Sequence, residues 1–375
     1  SEFFTSSKRM HWLPVSLSIV ASLFSGISFI GQPSRVYRYD SVLFAYTFSV
    51  LLMTPVVMYV LIPFYRRLDV TTAYEYLEKR FSLNVRLLAS ALFILKRLFW
   101  MALVALAPSL ALTTITGLPV EYCILIIGVV ATIYTGLGGM SAVIWTDAAQ
   151  FVILTLGQIL MIGLIASKLD GGFGEIWEVG RESGKVWMSM ELTFSDLTFW
   201  SMLIAGCVFA LSDLGVDQVT VQRIMSTPDL KTAQRSMIFN AIFKLPGMIV
   251  LLGIGVALYA YYQAFPEKLT LGQDEIDQVV PFFVVTELPA GVSGFVIAAI
   301  FAAAMSSFDS GLNCMVTAFT VDWYKRLWNQ DIKDEVHLRL AKILTYVLGA
   351  LITLMAIVIY QAGVKSIIDK SNKYL

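Results

Sequence analysis

The chain has 375 residues, of which 57% are hydrophobic and only 14% charged, and its mean hydropathy of +0.74 lies far above that of a water-soluble domain. Lys plus Arg and Asp plus Glu both number 27, so no charge excess points to nucleic acid. Two histidines leave no material for a histidine metal cluster. The three cysteines, Cys123, Cys207 and Cys314, all lie in apolar stretches and argue against a disulfide framework. What remains is an all-α polytopic membrane protein.

A bilayer crossing needs about 20 apolar residues. Such segments fall near 13–33, 41–64, 84–114, 119–136, 141–167, 196–217, 237–262, 280–317 and 338–361. Arg66, Arg67, Lys79, Arg80 and Arg86 share one side with Arg223, Lys231 and Arg235, and with Lys325, Arg326, Lys333, Arg339 and Lys342. Lys8 and Arg9 join them, which puts the start of the chain in the cytoplasm of a plasma membrane protein. Lys365, Lys370 and Lys373 fall on the opposite side. Ser1 stands where no initiating methionine or cleavable signal is seen, so a piece of a longer polypeptide is expected.

The first segment carries Gly26, Gly31 and Pro33 within eight residues. That spacing weakens helical hydrogen bonding and frees carbonyls, which is tolerable at membrane depth only against protein or a water-filled cavity. In the third segment Lys96 reaches for the inner face, and Arg97 is free to meet an anion. The turn Gly136-Leu137-Gly138-Gly139 has no following Lys-Ser/Thr and no preceding strand, so it links two membrane helices and is not a phosphate loop. In the fifth, Asp147 opens a long apolar run, either as an interfacial cap or as part of an ion site with Asp309. The sixth, 206–218, places glycines and Asp213 where the first has its break. Paired interruptions in two halves are the best sequence pointer to a transporter's binding site. The Gly253-Ile254-Gly255 pair reads as helix packing, and Glu75, Glu78, Lys79 and Arg80 as a cytoplasmic surface helix.

The eighth segment is the most informative. Ala302-Ala303-Ala304-Met305-Ser306-Ser307-Phe308-Asp309-Ser310-Gly311-Leu312-Asn313 is embedded in apolar sequence. Helical spacing puts Ser306, Asp309, Ser310 and Asn313 on one face, with Ala303 a turn earlier and Ser307 at its edge. A carboxylate at membrane depth is expensive and marks a functional site by default. Hydroxyls, a carboxylate and the carbonyls of small residues are hard oxygen ligands, suited to sodium. If Asp147 and Asp309 share a site, two like charges repel, and a proton or a cation must lie between them.

Five patches, in order, resemble the sodium:solute symporter family over almost the whole chain. They are Ala73–Phe81, Tyr134–Met140, Val143–Asp147, Asp217–Arg223 and the Ala302–Asn313 stretch. The resemblance implies a LeuT-like fold, an inverted repeat of five plus five helices working by alternating access. One domain, 1–375, would hold a first repeat near 12–168 and an incomplete second near 196–375, with the tenth core helix missing.

Residue by residue, the resemblance implies a shared sodium site from the carbonyls of Ala21, Phe24 and Ala303 and the hydroxyls of Ser306 and Ser307. A second site, present in the sialic-acid type, maps to Asp147, Ser306, Asp309 and Ser310, with Asp309 in place of a serine. Solute contacts map to Ser25, Ser28 and Thr47, with Trp100 and Asp213 close by. Trp100 falls where the sialic-acid type places its carboxylate-binding arginine, so the sialate assignment holds only if Arg97, a turn away, substitutes. The implied function is sodium-coupled import of a small carboxylate, such as a monocarboxylate or sialic acid, or of a sugar. Its partners are the solute, sodium ions and the bilayer, with no nucleic acid, no obligate protein partner and no covalent chemistry. The competing reading is a transporter-like sensory module feeding a signalling domain beyond Leu375.

Overall fold

Breaks in the backbone, more than the helices themselves, position the chemistry of this protein. The structure is a computed structural model that describes residues 2–68, 70–328 and 334–362; Lys333, Lys365, Lys370 and Lys373 lie outside them. All regular structure among the described residues is helical.

The first segment is two helices, α1 (Trp12–Leu23) and α2 (Gly26–Arg38), bent by 58° at the join. Ser25 caps α2 by accepting a hydrogen bond from the Ser28 amide. Gly26 sits so close to the next bundle that a Cβ there would come within 2.6 Å of the Pro108 ring. A span over Val42–Leu68 (α3) follows, with a π-helical turn at Val57–Leu61. The short α4 (Glu75–Arg80) leads into α5 (Leu83–Thr116), which ends where Gly117 takes φ 71°.

Val120–Ser167 (α6) is continuous in hydrogen bonding, but Gly139, at φ 58° and ψ −151°, kinks it into two membrane helices. That is the link expected of the glycine turn, since only glycine adopts this backbone without strain. After α7 (Gly172–Glu182), the sixth segment breaks as its sequence predicts. Helix α8 (Phe199–Leu211) runs into a π segment, Ser212–Val216; Asp217 is extended and then caps α9 (Gln218–Met225). Next come α10 (Leu230–Ala264) and α11 (Val279–Thr286), then α12 (Ala290–Ala318), which continues through a π segment, and α13 (Asp334–Gln361).

Seven helices are long and apolar enough to cross a membrane; adding the bent first pair and dividing α6 at Gly139 gives nine crossings among the described residues. The segment expected at 280–317 is corrected. Val279–Thr286 is a separate helix, and the crossing helix begins only at Ala290, after Pro289. Proline lacks the amide needed to carry a helix through, and it supplies a good first-turn boundary. Helix α12 packs on α6 both before Gly139, where Tyr134 bonds Asp309, and after it, where Gly157 faces Ala299, as well as on α5 and α1.

Candidate functional site

Helix α1 stops at Leu23, so its last carbonyls have no amide one turn ahead. The Phe24 amide takes Val20 O, and the next two carbonyls turn to α12. Ser306 Oγ lies 3.1 Å from Ala21 O and 3.1 Å from Ala303 O. Ser307 Oγ lies 3.4 Å from Ser22 O. Ala21, Ala303, Ser306, Ser307 and Phe24 are all buried. Backbone and hydroxyl oxygens with no charge and no amine among them are thus gathered at the break. The donor set fits a hard monovalent cation.

One turn further along α12 lies a charged cluster. Tyr134 Oη donates to Asp309 Oδ2 at 2.5 Å, and Ser310 Oγ lies 3.2 Å from Asp309 Oδ1. Ser310 Oγ is also 3.3 Å from Asp147 Oδ2. Asp147 is no interfacial cap: it is fully buried and accepts from Ser18 Oγ at 2.6 Å and Arg223 Nη2 at 2.7 Å. Arg223 Nε donates to Ser18 at 2.7 Å, Nη1 to Val219 O at 3.0 Å, and Nη2 also to Ser310. The charge counted as a cytoplasmic loop arginine is therefore inside the protein, fully buried. It is the cation that lies beside Asp147. Asp147 Oδ1 is buried without a hydrogen-bond partner. Asn313, the last member of the predicted face, accepts from Gln222 Nε2 at 2.9 Å.

The solute positions are only partly brought together. Ser25 Oγ and Ser28 Oγ are 3.3 Å apart at the start of α2. Thr47 is buried, with Oγ1 unpartnered. Asp213, which in sequence has no visible partner, accepts from Tyr46 Oη at 3.1 Å. The buried Lys244 ammonium stands 4.5 Å from the Tyr46 ring centroid, within electrostatic reach of Asp213. One turn before it, Asn240 is fully buried with both side-chain polar atoms unpartnered. One turn after it, a Cβ on Gly247 would lie 3.6 Å from the Phe24 ring, which ties this cluster to the break in the first segment. Trp100 does not join it. The residue is 43% exposed, at the edge of the outer stripe of α5 formed by Leu92, Lys96 and Phe99. Nor is Arg97 free for an anion: its Nη2 holds both oxygens of Asp217, at 2.7 and 2.9 Å.

A third network closes one end of the bundle. Asp322, fully buried, accepts from Thr72 Oγ1 at 2.6 Å, Ser90 Oγ at 3.1 Å and Arg86 Nη2 at 2.6 Å. Arg86 also reaches Glu78 at 2.7 Å, and Arg326 bonds Glu78 from α12's extension. The fully buried Gln218 holds Ala73 N and Thr71 O at 2.9 and 3.0 Å. The expected surface helix is thus stitched to α5, α9 and the end of α12.

Broken helices facing an oxygen-rich central helix define a membrane transporter. The model of the sodium:solute symporter family matches residues 3–375, and the chain belongs to that family. It is 34% identical over 377 residues to the sodium/sialic acid symporter SiaT of Proteus mirabilis, covering 100% of this chain and 76% of that protein. It is 34% identical over 365 residues to the sodium-dependent multivitamin transporter of Oryctolagus cuniculus, covering 96% of this chain but 57% of the relative. The solved substrate-bound outward-open state of a Na+-coupled sialic acid symporter superposes with a TM-score of 0.92 at 33% identity, covering 98% of this chain and 78% of that one. The fold is the LeuT-like one, and these relatives are sodium-coupled transporters, not enzymes.

Proposed function

We propose that this chain imports a small organic solute, a carboxylate or a sugar, by symport with sodium across the plasma membrane, with the start of the chain on the cytoplasmic side. It is one transporter domain, its repeats spanning about 12–168 and from about 196 onward, and it performs no covalent chemistry. Sodium, the driving cargo, binds the carbonyls of Ala21, Phe24 and Ala303 and the hydroxyls of Ser306 and Ser307. The observation that carries this is the approach of Ser306 to Ala21 O and Ala303 O at 3.1 Å each, at a helix end whose carbonyls have no amide to accept. Rotating the serine hydrogens away turns their lone pairs to the cation. Unwound carbonyls coordinating sodium beside a discontinuous helix are the expected arrangement for such a transporter.

A second sodium, where one binds, uses Asp147, Ser306, Asp309 and Ser310. The cluster holds two carboxylates against one guanidinium, and Asp147 Oδ1 still lacks a partner. The solute sits against Ser25, Ser28, Thr47 and Asp213, with Tyr46, Asn240 and Lys244 completing the pocket. Lys244 supplies a cation for a carboxylate, and the unpartnered Thr47 and Asn240 supply hydrogen bonds for hydroxyls or amides. Sodium at the break favours the states that also bind solute, and coupling follows as a reciprocal linkage.

Uptake of sialic acid, short monocarboxylates and hexoses into proteoliposomes, with and without an inward sodium gradient, tests the reading. Sodium-stimulated accumulation of a carboxylate or a sugar is expected. Uptake of none of them under a sodium gradient would overturn it.

A further inference from the structure

A groove of about 320 Å3 between α7, the 186–188 stretch and α10 serves neither the ion cluster nor the solute cluster, and its wall is almost wholly apolar. Its floor is Leu252, Gly253 and Val256; its sides include Ile176, Trp177 and Met188. The glycine pair of α10 divides here. Gly255 packs under Pro33 and Val36, as a packing glycine should, whereas Gly253 lines the groove, where a Cβ would meet nothing but the end of the flexible Ile162 side chain, at 3.2 Å. The polar Ser41 at the rim is already engaged, donating to Lys185 O at 2.6 Å.

Two lipid-facing stripes run into this groove. Ile238, Ile242 and Ile249 are 40%, 51% and 53% exposed along one side of α10, and the next turn of that stripe is Gly253. Phe48 and Leu52 lie exposed along α3, and the Phe48 ring meets that of Phe44, a groove residue, edge to face with centroids 5.3 Å apart. At the other side the chain leaves Val186 in a non-helical segment where exposed Met190, Leu192 and Phe194 alternate with Glu191 and Thr193. Trp177 and Trp187, at 63% and 62% exposure, flank it. Exposed tryptophans beside a lipid-facing surface are the signature of the membrane–water interface. An apolar groove left open there forfeits dispersion contacts along its whole lining.

We propose that this groove holds one acyl chain of a bilayer phospholipid, admitted along the α10 stripe and covered by the Trp187–Phe194 segment lying in the interfacial layer. The site follows from continuity with the lipid-facing surface and is independent of the solute assignment.

The test uses the intact protein in phosphatidylcholine proteoliposomes containing a phosphatidylcholine with a photoreactive diazirine in its acyl chain. After irradiation, labelled positions are mapped by mass spectrometry. Label on Trp177, Met188 and Leu252 is expected at several-fold the yield on Ile204 and Val208, which face outward from α8. Gly253→Phe fills the floor and should reduce groove label several-fold, with α8 label unchanged. Should that variant fail to fold, Ile249→Trp narrows the mouth from the exposed side and should act in the same direction. Groove label no higher than that on α8, or unaffected by both substitutions, overturns the proposal. So does label that comes from a photoreactive free fatty acid added from water and not from the phospholipid.

Discussion

Arg223 and Asp147 meet at 2.7 Å with neither side chain exposed. The pair joins α9, just after the sixth-segment break, to the second half of α6, and through Ser18 and Ser310 to α1 and α12. Four elements around the buried carboxylates are thereby joined through one guanidinium. A buried pair is a weak source of net stability, but removing one member leaves a charge with nothing to offset it.

Arg223→Gln should therefore destabilise the protein by about 3–5 kcal/mol, read as a lower midpoint of thermal unfolding in detergent. The double variant Arg223→Gln, Asp147→Asn should recover part of that loss, because Asp147 no longer carries a charge without its cation, although the buried Asp309 remains beside it. A double variant no more stable than Arg223→Gln alone would show that the pair's geometry, not its charge balance, holds the helices.

Ser306→Ala and Ser307→Ala should each raise the sodium concentration for half-maximal uptake. Loss of one oxygen ligand worth about 1.4 kcal/mol corresponds to roughly tenfold. Ser306 should have the larger effect, since it bridges two carbonyls at 3.1 Å while Ser307 meets one at 3.4 Å. Unchanged sodium dependence in both, with normal expression, would refute the shared site.

Asp309→Ser tests the second site. The substitution removes a carboxylate but leaves the Asp147–Arg223 pair intact, so the fold should hold and transport should persist. Sodium affinity should fall, and the charge moved per solute should drop if the cluster carries a second ion. An unchanged charge per solute and unchanged sodium affinity would reduce Asp309 to a structural partner of Tyr134.

Much of this was legible in sequence, and the reason is local. Glycine, proline and small polar residues announce a broken helix wherever they fall, so the breaks after Leu23 and Leu211 could be read directly. Helical periodicity placed Ser306, Asp309, Ser310 and Asn313 on one face, and that face meets both the Ala21 carbonyl and the buried Asp147 carboxylate. Partners were illegible because they are remote: Asp147 and Arg223 are 76 residues apart, and Asp213 and Tyr46 are 167 apart. Counting basic residues by loop cannot tell a solvated arginine from one buried among helices, and so Arg223 was misplaced. Pro289 was the available signal for the break before α12, but hydropathy runs across it. Trp100 stands apart from the Asp213 cluster, 43% exposed at the edge of the outer stripe of α5, and sequence alone does not give the rotation of that helix about its axis.

The network around Glu78 should make stability depend on acid. Burial pushes the Glu78 carboxyl up, but Arg326 and Arg86 outweigh it and hold it below the usual glutamate range. A carboxylate depressed in the folded state stabilises fully above its unfolded pKa of about 4.3, and that contribution is lost as pH falls through the folded value. The wild type should thus lose stability below about pH 4.3 more steeply than Glu78→Gln, whose stability is lower at neutral pH by about 1 kcal/mol or less. Thermal midpoints of both proteins across that window check it; parallel curves would remove Glu78 from the account.

The Asp213–Lys244 cluster, proposed above to hold the solute, offers the sharpest separation of solute from sodium effects. Asp213 and Lys244 lie at the Tyr46 ring, and the ring hydroxyl is committed to the carboxylate. Neither touches the oxygens gathered between Ala21 and Ser306. Asp213→Asn keeps the shape and an acceptor for Tyr46 but removes the charge that partly offsets Lys244. A carboxylate solute should then bind more tightly, because the ammonium no longer shares its field with an internal acid, while a neutral sugar should be little affected or lose a hydrogen-bond acceptor. Lys244→Met should have the opposite effect on a carboxylate, weakening it by about tenfold or more for the loss of a buried charge-assisted contact of about 1.5–3 kcal/mol. Sodium affinity measured without solute should stay close to wild type in both variants. Competition of unlabelled carboxylates and hexoses against the best substrate gives the solute arm, and sodium binding to the solute-free protein gives the other. If both substitutions shift sodium affinity as much as solute affinity, the Asp213–Lys244 cluster belongs to the machinery that opens and closes the helices, and the solute lies elsewhere.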